Sequence, residues 1–258
     1  MKTSAMIFAA GLGTRLYPLT ANKPKALVEY KGKPLLEHAI TKILEAGIQH
    51  IVINVHHFGE QIIEYINQHH YNADIEISDE RAQLLETAGG LKFAEQYFTN
   101  TTQILLYNVD VISSIDLRKF VLKAESRKQK AEISQISNLK SQIQNLKSQI
   151  SNLKSPLATL CVRHRESSRY FLFEEPELRL CGWENLKTNE RKVCYEAENT
   201  VPLAFSGIHL VDNKILDLIP KNEKISFTPL YLNLAKDYLI QGYLHDEDTW
   251  EDMGRYEI

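Results

Sequence analysis

The chain has 258 residues, of which 43% are apolar and 24% charged. That is the composition of a soluble globular protein with one large domain, or one domain and a small insertion. Its formal net charge is −3, so no global basic field draws in nucleic acid or anionic lipid, and any anionic partner must be caught locally.

The elements are predicted in chain order. Met6 to Ala10 reads as a buried strand that runs into a glycine loop. The apolar run Ala5 to Ala10 is too short for a membrane span, and Gly11 to Arg15 excludes a signal-peptide reading. Pro34 to Ala46 reads as a helix: Pro34 sits in the first turn, Leu35, Leu36, Ala39, Ile40, Ile43 and Leu44 form one face, and Gly47 ends it. Ile51 to Val55 is a β-branched strand, Gly59 to His69 a helix, Asp74 to Ile77 a short strand and Gly90 to Phe98 a helix. Ile104 to Tyr107 is a buried strand and Asp116 to Lys128 a helix. Strands alternating with helices predict an α/β domain, with a mainly parallel central sheet and helices on both faces. Ligands of such sheets gather beyond the carboxyl ends of the strands, here after Ala10, Val55, Ile77 and Tyr107.

After Lys130 the texture changes. Gln135-Ile-Ser-Asn-Leu-Lys-Ser returns with little change at Gln142 and again at Gln149. Ile136, Leu139, Ile143, Leu146, Ile150 and Leu153 alternate at spacings of three and four, a heptad seam that Pro156 stops. The segment at about 130–155 is expected to be an insertion in a single 1–258 domain, a helix that projects or self-associates, or else a loop. Beyond it, Leu157 to Val162 and Tyr170 to Phe173 read as strands, with Leu178 to Trp183 completing a hairpin. Pro202 to Val211 is a strong strand containing Gly207, Asn213 to Ile219 a short helix, and Pro229 to Ile240 an amphipathic one.

Cys161, Cys181 and Cys194 are scattered and odd in number, as expected of reduced, buried thiols in a cytoplasmic protein. His56-His57 and His69-His70 are adjacent pairs whose rings would point to opposite faces of a strand, poor geometry for zinc.

The chemistry concentrates in "AAGLGTRLYPLTANKPKAL", Ala9 to Leu27. Gly11 and Gly13 let backbone N–H groups come close to a phosphate. Arg15 offers a flat fork to phosphate oxygens, and Lys25 a movable point charge. The stretch lacks the Gly-Lys-Ser/Thr of the P-loop and the third glycine of the dinucleotide fingerprint.

This stretch resembles the signature of the sugar-1-phosphate nucleotidyltransferases, the nucleotide-sugar pyrophosphorylases. Gly11, Gly13, Thr14, Arg15, Thr20, Pro24 and Lys25 match it. The resemblance implies a Rossmann-like nucleotide-diphospho-sugar transferase fold, and an enzyme that joins a nucleoside triphosphate to a sugar 1-phosphate and releases pyrophosphate. It implies catalytic roles for Arg15 and Lys25, and nucleotide contacts at Ala10, Gly11, Gly13, Thr14 and Asn108. The glycines of "LLETAGG", Gly89 and Gly90, would lie against base or ribose, and Gly207 of "FSGIHLVD" would leave room for the sugar. Asp110, in Asn-Val-Asp, and Asp252, in Trp-Glu-Asp-Met-Gly, would hold Mg²⁺.

The physics agrees with that reaction. Two unit charges about 4 Å apart repel by roughly 4 kcal/mol at an effective dielectric of ~20, so two anionic substrates need placed cations to meet in line.

Three departures stand beside the match. Many members have Glu-Lys-Pro where a lysine meets the sugar phosphate, and the nearest candidate here is Glu174-Glu175-Pro176, which leaves Arg163, Arg165 or Arg169 as substitutes. Gly254-Arg255-Tyr256-Glu257 replaces the usual Gly-Thr-Pro-Glu, and with Ile258 as its last residue the chain is expected not to carry the left-handed β-helix of some relatives. Within the family, "SDE", "LLETAGG" and "LCGWENLKT" are most similar to single-domain N-acetylmuramate-1-phosphate uridylyltransferases and the mannose-1-phosphate guanylyltransferase-like group. A phosphocholine-type cytidylyltransferase and a non-catalytic nucleotide-sugar sensor are the rival readings. The heptad segment is the candidate surface for self-association.

Overall fold

The structure is a computed structural model and describes residues 2–126 and 155–255. The first half builds a parallel sheet. β1 (Thr3–Phe8) leads into the glycine loop and a small hairpin of β2 (Glu29–Tyr30) and β3 (Lys33–Pro34). Then follow α1 (Leu35–Glu45), β4 (His50–Val55), α2 (Gly59–Gln68), β5 (Asp74–Asp79), α3 (Glu86–Phe93), β6 (Gln103–Asn108), β7 (Val111–Ser113) and a helix α4 at residues 117–126. β5, β4, β1 and β6 lie side by side, all parallel, with Ala5 opposite both Ile51 and Leu105.

The period-two alternation of the strands sorts their side chains between two cores. Ala5, Ile7, Ile51 and Ile53 face the layer of α1, whose Leu36, Ile40 and Ile43 are fully buried. Met6, Phe8, Val52, Ile104 and Leu106 face the layer of α3 and the later helix α6 (Phe227–Leu234). Helices thus cover both faces, as the sequence predicts.

The second half departs from a mainly parallel sheet. Its strands are β8 (Ala158–Arg163), β9 (Arg169–Glu174), β10 (Arg179–Asn185), β11 (Glu190–Val193), β12 (Thr200–Asp212), β13 (Ile240–Leu244) and β14 (Trp250–Asp252), with the short helix α5 (Ile215–Leu218) and α6 between β12 and β13. β12 joins β6 antiparallel and extends the sheet. β8, β12, β9, β10 and β13 then pair in a closed ring, in which only β13 with β8 is parallel. Short turns between β9, β10 and β11 can link antiparallel neighbours only, because a parallel link needs a long crossover. The whole is therefore a mixed sheet: its parallel half carries the glycine loop, and its antiparallel half closes on itself.

Gly207 sits at a bend in the ring. It has φ +75°, a left-handed value, at the break in register between Phe205 and His209 where β12 bends along β8. A Cβ there would come within 2.9 Å of Asn108 Nδ2 and Val111 Cγ2.

Some boundaries move. The helix predicted from Gly90 starts at Glu86 and gives way to a tight turn over Glu95–Phe98. The amphipathic helix predicted at Pro229 to Ile240 runs over Phe227–Leu234, and Ile240 opens a strand. The heptad segment lies outside the described residues. Among the described residues, no helix is long and apolar enough to cross a membrane.

Candidate active site

The site grows from the carboxyl end of β1. The backbone N–H groups of Ala9 and Ala10 donate to Asn54 Oδ1, at 2.8 and 3.3 Å, from the neighbouring end of β4. The chain is then free to turn at Gly11. Gly13 adopts φ +66°, and a Cβ there would meet Thr20 Cγ2 at 2.9 Å and Lys25 Cβ at 3.2 Å. Its carbonyl accepts hydrogen bonds from the Leu16 N–H and the Thr20 hydroxyl, both at 2.9 Å. Thr20 therefore acts as a strut that folds the loop back on itself. Pro24 precedes a single 3₁₀ turn, Lys25–Leu27, that aims Lys25 inward.

Lys25 Nζ lies 2.6 Å from Asp110 Oδ2, and both side chains are nearly buried. Asp110 follows β6 at the corresponding end of the sheet. Asp252 is far away in the chain, yet β14 pairs antiparallel with β7 and sets Asp252 opposite Val111, the neighbour of Asp110. The Met253 N–H donates to the Asp110 carbonyl at 2.8 Å, and the Gly254 N–H to Asp252 Oδ1 at 3.0 Å. Gly254 marks the meeting point: a Cβ on it would stand 2.6 Å from Asp110 Oδ2, 3.0 Å from Asp252 Oδ1 and 3.2 Å from an Arg15 guanidinium nitrogen. Two carboxylate oxygens, an arginine and, through Asp110, a lysine thus crowd a cradle over Gly254 that is too tight for a Cβ.

Two cavities meet there. The first, about 380 Å³, is walled by the glycine loop with Ala10, Gly11, Gly13 and Thr14, by Lys25 and by Thr87. The second, about 1020 Å³, is walled by Gly207, Ser206, Trp250, Asp252 and residues of β9 and β10. Arg15, Asn108, Asp110 and Gly254 line both.

Gly89 and Gly90 line neither. A Cβ on Gly89 would collide with the Glu223 carbonyl, and one on Gly90 would fall 2.6 Å from Glu80 Oε1. These glycines let α3 pack close to the 223–225 segment and to the side chains of Asn54 and Glu80. The cavity wall in that stretch is made instead by Leu84, Glu86 and Thr87.

Sequence reasoning missed Asn54 and Glu80. Asn54 Nδ2 donates to Glu80 Oε1 at 2.9 Å, so the carboxyl fixes the amide whose oxygen holds the start of the loop. Glu80 is 2% exposed. Burial pushes its carboxyl up to about 7, against the opposing pull of Asn54 and the Leu85 N–H. The available signal was a polar residue inside the apolar strand "IVINV". Ser206 and His245 form a second buried pair, Oγ to Nε2 at 2.7 Å, behind the second cavity. Burial, then Arg163, holds the His245 ring down to about 4.

Among the paired histidines, His56 Nδ1 bonds to the Glu80 carbonyl and His69 Nδ1 to the Tyr65 carbonyl. The one described cluster with metal-like spacing is His50, Asp74 and Glu76, with ligand atoms within 4.8 Å of one another. It sits at the amino ends of β4 and β5, away from the cavities. The three cysteines are free, and burial raises the thiols.

An N-acetylmuramate alpha-1-phosphate uridylyltransferase of Caulobacter vibrioides is 45% identical over 93 residues, 35% of this chain and 38% of that protein. A mannose-1-phosphate guanyltransferase of Hypocrea jecorina is 35% identical over 119 residues, 45% of this chain and 32% of that protein. The chain thus matches well under half the length of each of these curated relatives. In overall fold it resembles a Bacillus anthracis protein assigned as a glucose-1-phosphate thymidylyltransferase, solved with sucrose. The TM-score is 0.72 at 19% identity, over 98% of this chain and 90% of that one. HddC from Yersinia pseudotuberculosis, complexed with GMP-PN, gives a TM-score of 0.66 at 18% identity, over 98% of this chain and 94% of that one. The model of the nucleotidyl transferase family matches residues 4–143, from the first strand through the glycine loop and Asp110, and the chain belongs to that family.

Proposed function

We propose that the chain is a sugar-1-phosphate nucleotidyltransferase that makes a nucleoside diphosphate sugar and pyrophosphate. One observation carries the reading: Arg15, Lys25, Asp110 and Asp252 converge at the junction of two cavities, one under a phosphate-compatible glycine loop and one large enough for a sugar. The first cavity takes the triphosphate and the second the sugar 1-phosphate. The sugar phosphate supplies the attacking oxygen, which forms a bond to the α-phosphorus as the bond to the bridging oxygen of pyrophosphate breaks. No protein nucleophile is needed. Arg15, shared by both cavities, and Lys25 offset the repulsion between the two anions and hold the reacting groups in line.

The two carboxylate oxygens around the Gly254 cradle are the donor set that Mg²⁺ accepts, with phosphate oxygens and water completing its shell. Asp110 and Asp252 would hold it, and when bound it would add positive charge against the triphosphate.

The Caulobacter relative favours UTP and N-acetylmuramate 1-phosphate as substrates. GTP with mannose 1-phosphate is the second reading, on the Hypocrea relative. Each of UTP, GTP, CTP and dTTP mixed with each sugar phosphate and Mg²⁺, followed by pyrophosphate release, tests the reading. Release with one pair supports it. Nucleotide binding with no release from any pair would make the chain a sensor.

A further inference from the structure

Among the described residues four cations line the second cavity, Arg15, Arg165, Arg169 and Lys187, and they are held in different ways. Glu175 and Pro176 line a separate recess with Glu198 and Thr200, away from the second cavity. Of the arginines nearby, Arg163 turns from the cavity and donates to the carbonyls of Asp248 and Asp246, at 3.0 and 3.4 Å. Arg165 also lines the cavity, but its guanidinium sits over the Trp250 ring, 4.3 Å from its centroid, and donates to the Phe205 carbonyl. It is a fixed piece of wall.

Arg169 and Lys187 differ. Arg169 opens β9 and pairs with Asn185, the last residue of β10; Lys187 follows in the turn, so both rise from one edge of the ring. The turn is braced, because Asn185 Oδ1 accepts the Lys187 N–H at 3.1 Å and the Ser168 carbonyl accepts the Leu186 N–H at 2.8 Å. Both are exposed residues that line the second cavity. Neither is paired with a carboxylate among the described residues, whereas exposed Lys192 and Arg81 are paired with theirs.

We propose that Arg169 and Lys187 form the oxyanion-recognition site for the second substrate, a sugar phosphate. The proposal rests on the transferase reading for the identity of that substrate. Two anionic groups present the shared chemistry: the 1-phosphate that any such sugar carries, and a carboxylate on the sugar itself, as in N-acetylmuramate. Arginine grips either with a two-pronged fork, and lysine adds a mobile charge.

The test is calorimetric titration of the full chain with N-acetylmuramate 1-phosphate and, separately, mannose 1-phosphate, for wild type, Arg169→Ala, Arg169→Lys and Lys187→Ala. Lys192→Ala, on the exposed strand β11, serves as a control, and thermal melts check folding. Arg169→Ala is expected to weaken binding roughly ten- to hundredfold and Lys187→Ala by a smaller factor, with Arg169→Lys in between and UTP affinity unchanged. Equal weakening of both sugars assigns the phosphate, and weakening of N-acetylmuramate 1-phosphate alone assigns the carboxylate. Unchanged affinity in folded Arg169→Ala and Lys187→Ala, or no binding of either sugar phosphate to wild type, overturns the proposal. Arg169-dependent binding without pyrophosphate release from any substrate pair removes the transferase reading and leaves the anion site standing.

Discussion

Lys25 Nζ stands 2.6 Å from Asp110 Oδ2, at the foot of the glycine loop and beside the Gly254 cradle. The pair joins an early signature residue to the end of the sixth strand. It also holds a lysine at the mouth of the parallel sheet, where an unpaired ammonium would cost desolvation energy. Asp110→Asn keeps the volume and a hydrogen-bond acceptor for Lys25 but removes a carboxylate charge from the junction. Turnover is expected to fall roughly hundredfold or more, with a stability change of about 1 kcal/mol in thermal melts. Equal loss of fold and activity would make Asp110 a structural residue.

Gly90→Ala separates packing from ligand contact. The new Cβ would sit 2.6 Å from Glu80 Oε1 and 3.1 Å from Asn54 Nδ2, and the site is buried. The expected cost is about 1–3 kcal/mol, read in a denaturant titration. Nucleotide affinity should weaken with it, because Asn54 holds the N–H groups of Ala9 and Ala10. Full stability with weakened nucleotide affinity would show that Gly90 acts by touching the nucleotide.

Glu80 makes stability depend on pH in a stated direction. Its folded pKa, about 7, is above the ordinary 4.5, so the folded state holds the proton more tightly. The contribution is full below about pH 4.5 and is lost as pH rises towards 7 and beyond. Glu80→Gln removes the titration. The difference in stability, variant minus wild type, should move in the variant's favour between pH 4.5 and 8, by up to roughly 3 kcal/mol. Melts of both proteins across that range check this. A difference that does not vary with pH would mean that Glu80 stays ionised.

Excising residues 130–155 and joining the ends should leave turnover within about twofold of wild type, since the described residues already wall both cavities and bring Arg15, Asn108, Asp110 and Gly254 to their junction. A folded but inactive product, judged by its melting curve and pyrophosphate release, would place the insertion in the function.

Much of the parallel half was legible. β1, β4 and β6 are apolar runs closed by loops, and the face of α1 follows the 3.6-residue period, because local pattern and burial agree there. The ring was not legible as a ring. β11 is exposed at every position and carries no alternation, and the bend at Gly207 depends on Asn108 and Val111 from another strand. In the site, the motif residues Gly11, Gly13, Arg15 and Lys25 could be named together. That Asp252 lies beside Asp110 depends on the pairing of β14 with β7, which no local pattern encodes. Glycines are ambiguous for the same reason: Gly207 borders a cavity, whereas Gly89 and Gly90 serve packing. What a missing side chain makes room for is decided by neighbours distant in sequence.

The central claim is that two anionic substrates meet at one point among Arg15, Lys25, Asp110 and Asp252. Phosphorus NMR of UTP, N-acetylmuramate 1-phosphate, Mg²⁺ and the full chain tests it most directly, with the GTP and mannose 1-phosphate mixture run beside it. The account predicts that one mixture yields a sugar nucleotide and pyrophosphate in equal amounts. Inorganic phosphate or nucleoside monophosphate in place of the sugar nucleotide, or unchanged spectra in both mixtures, would contradict it.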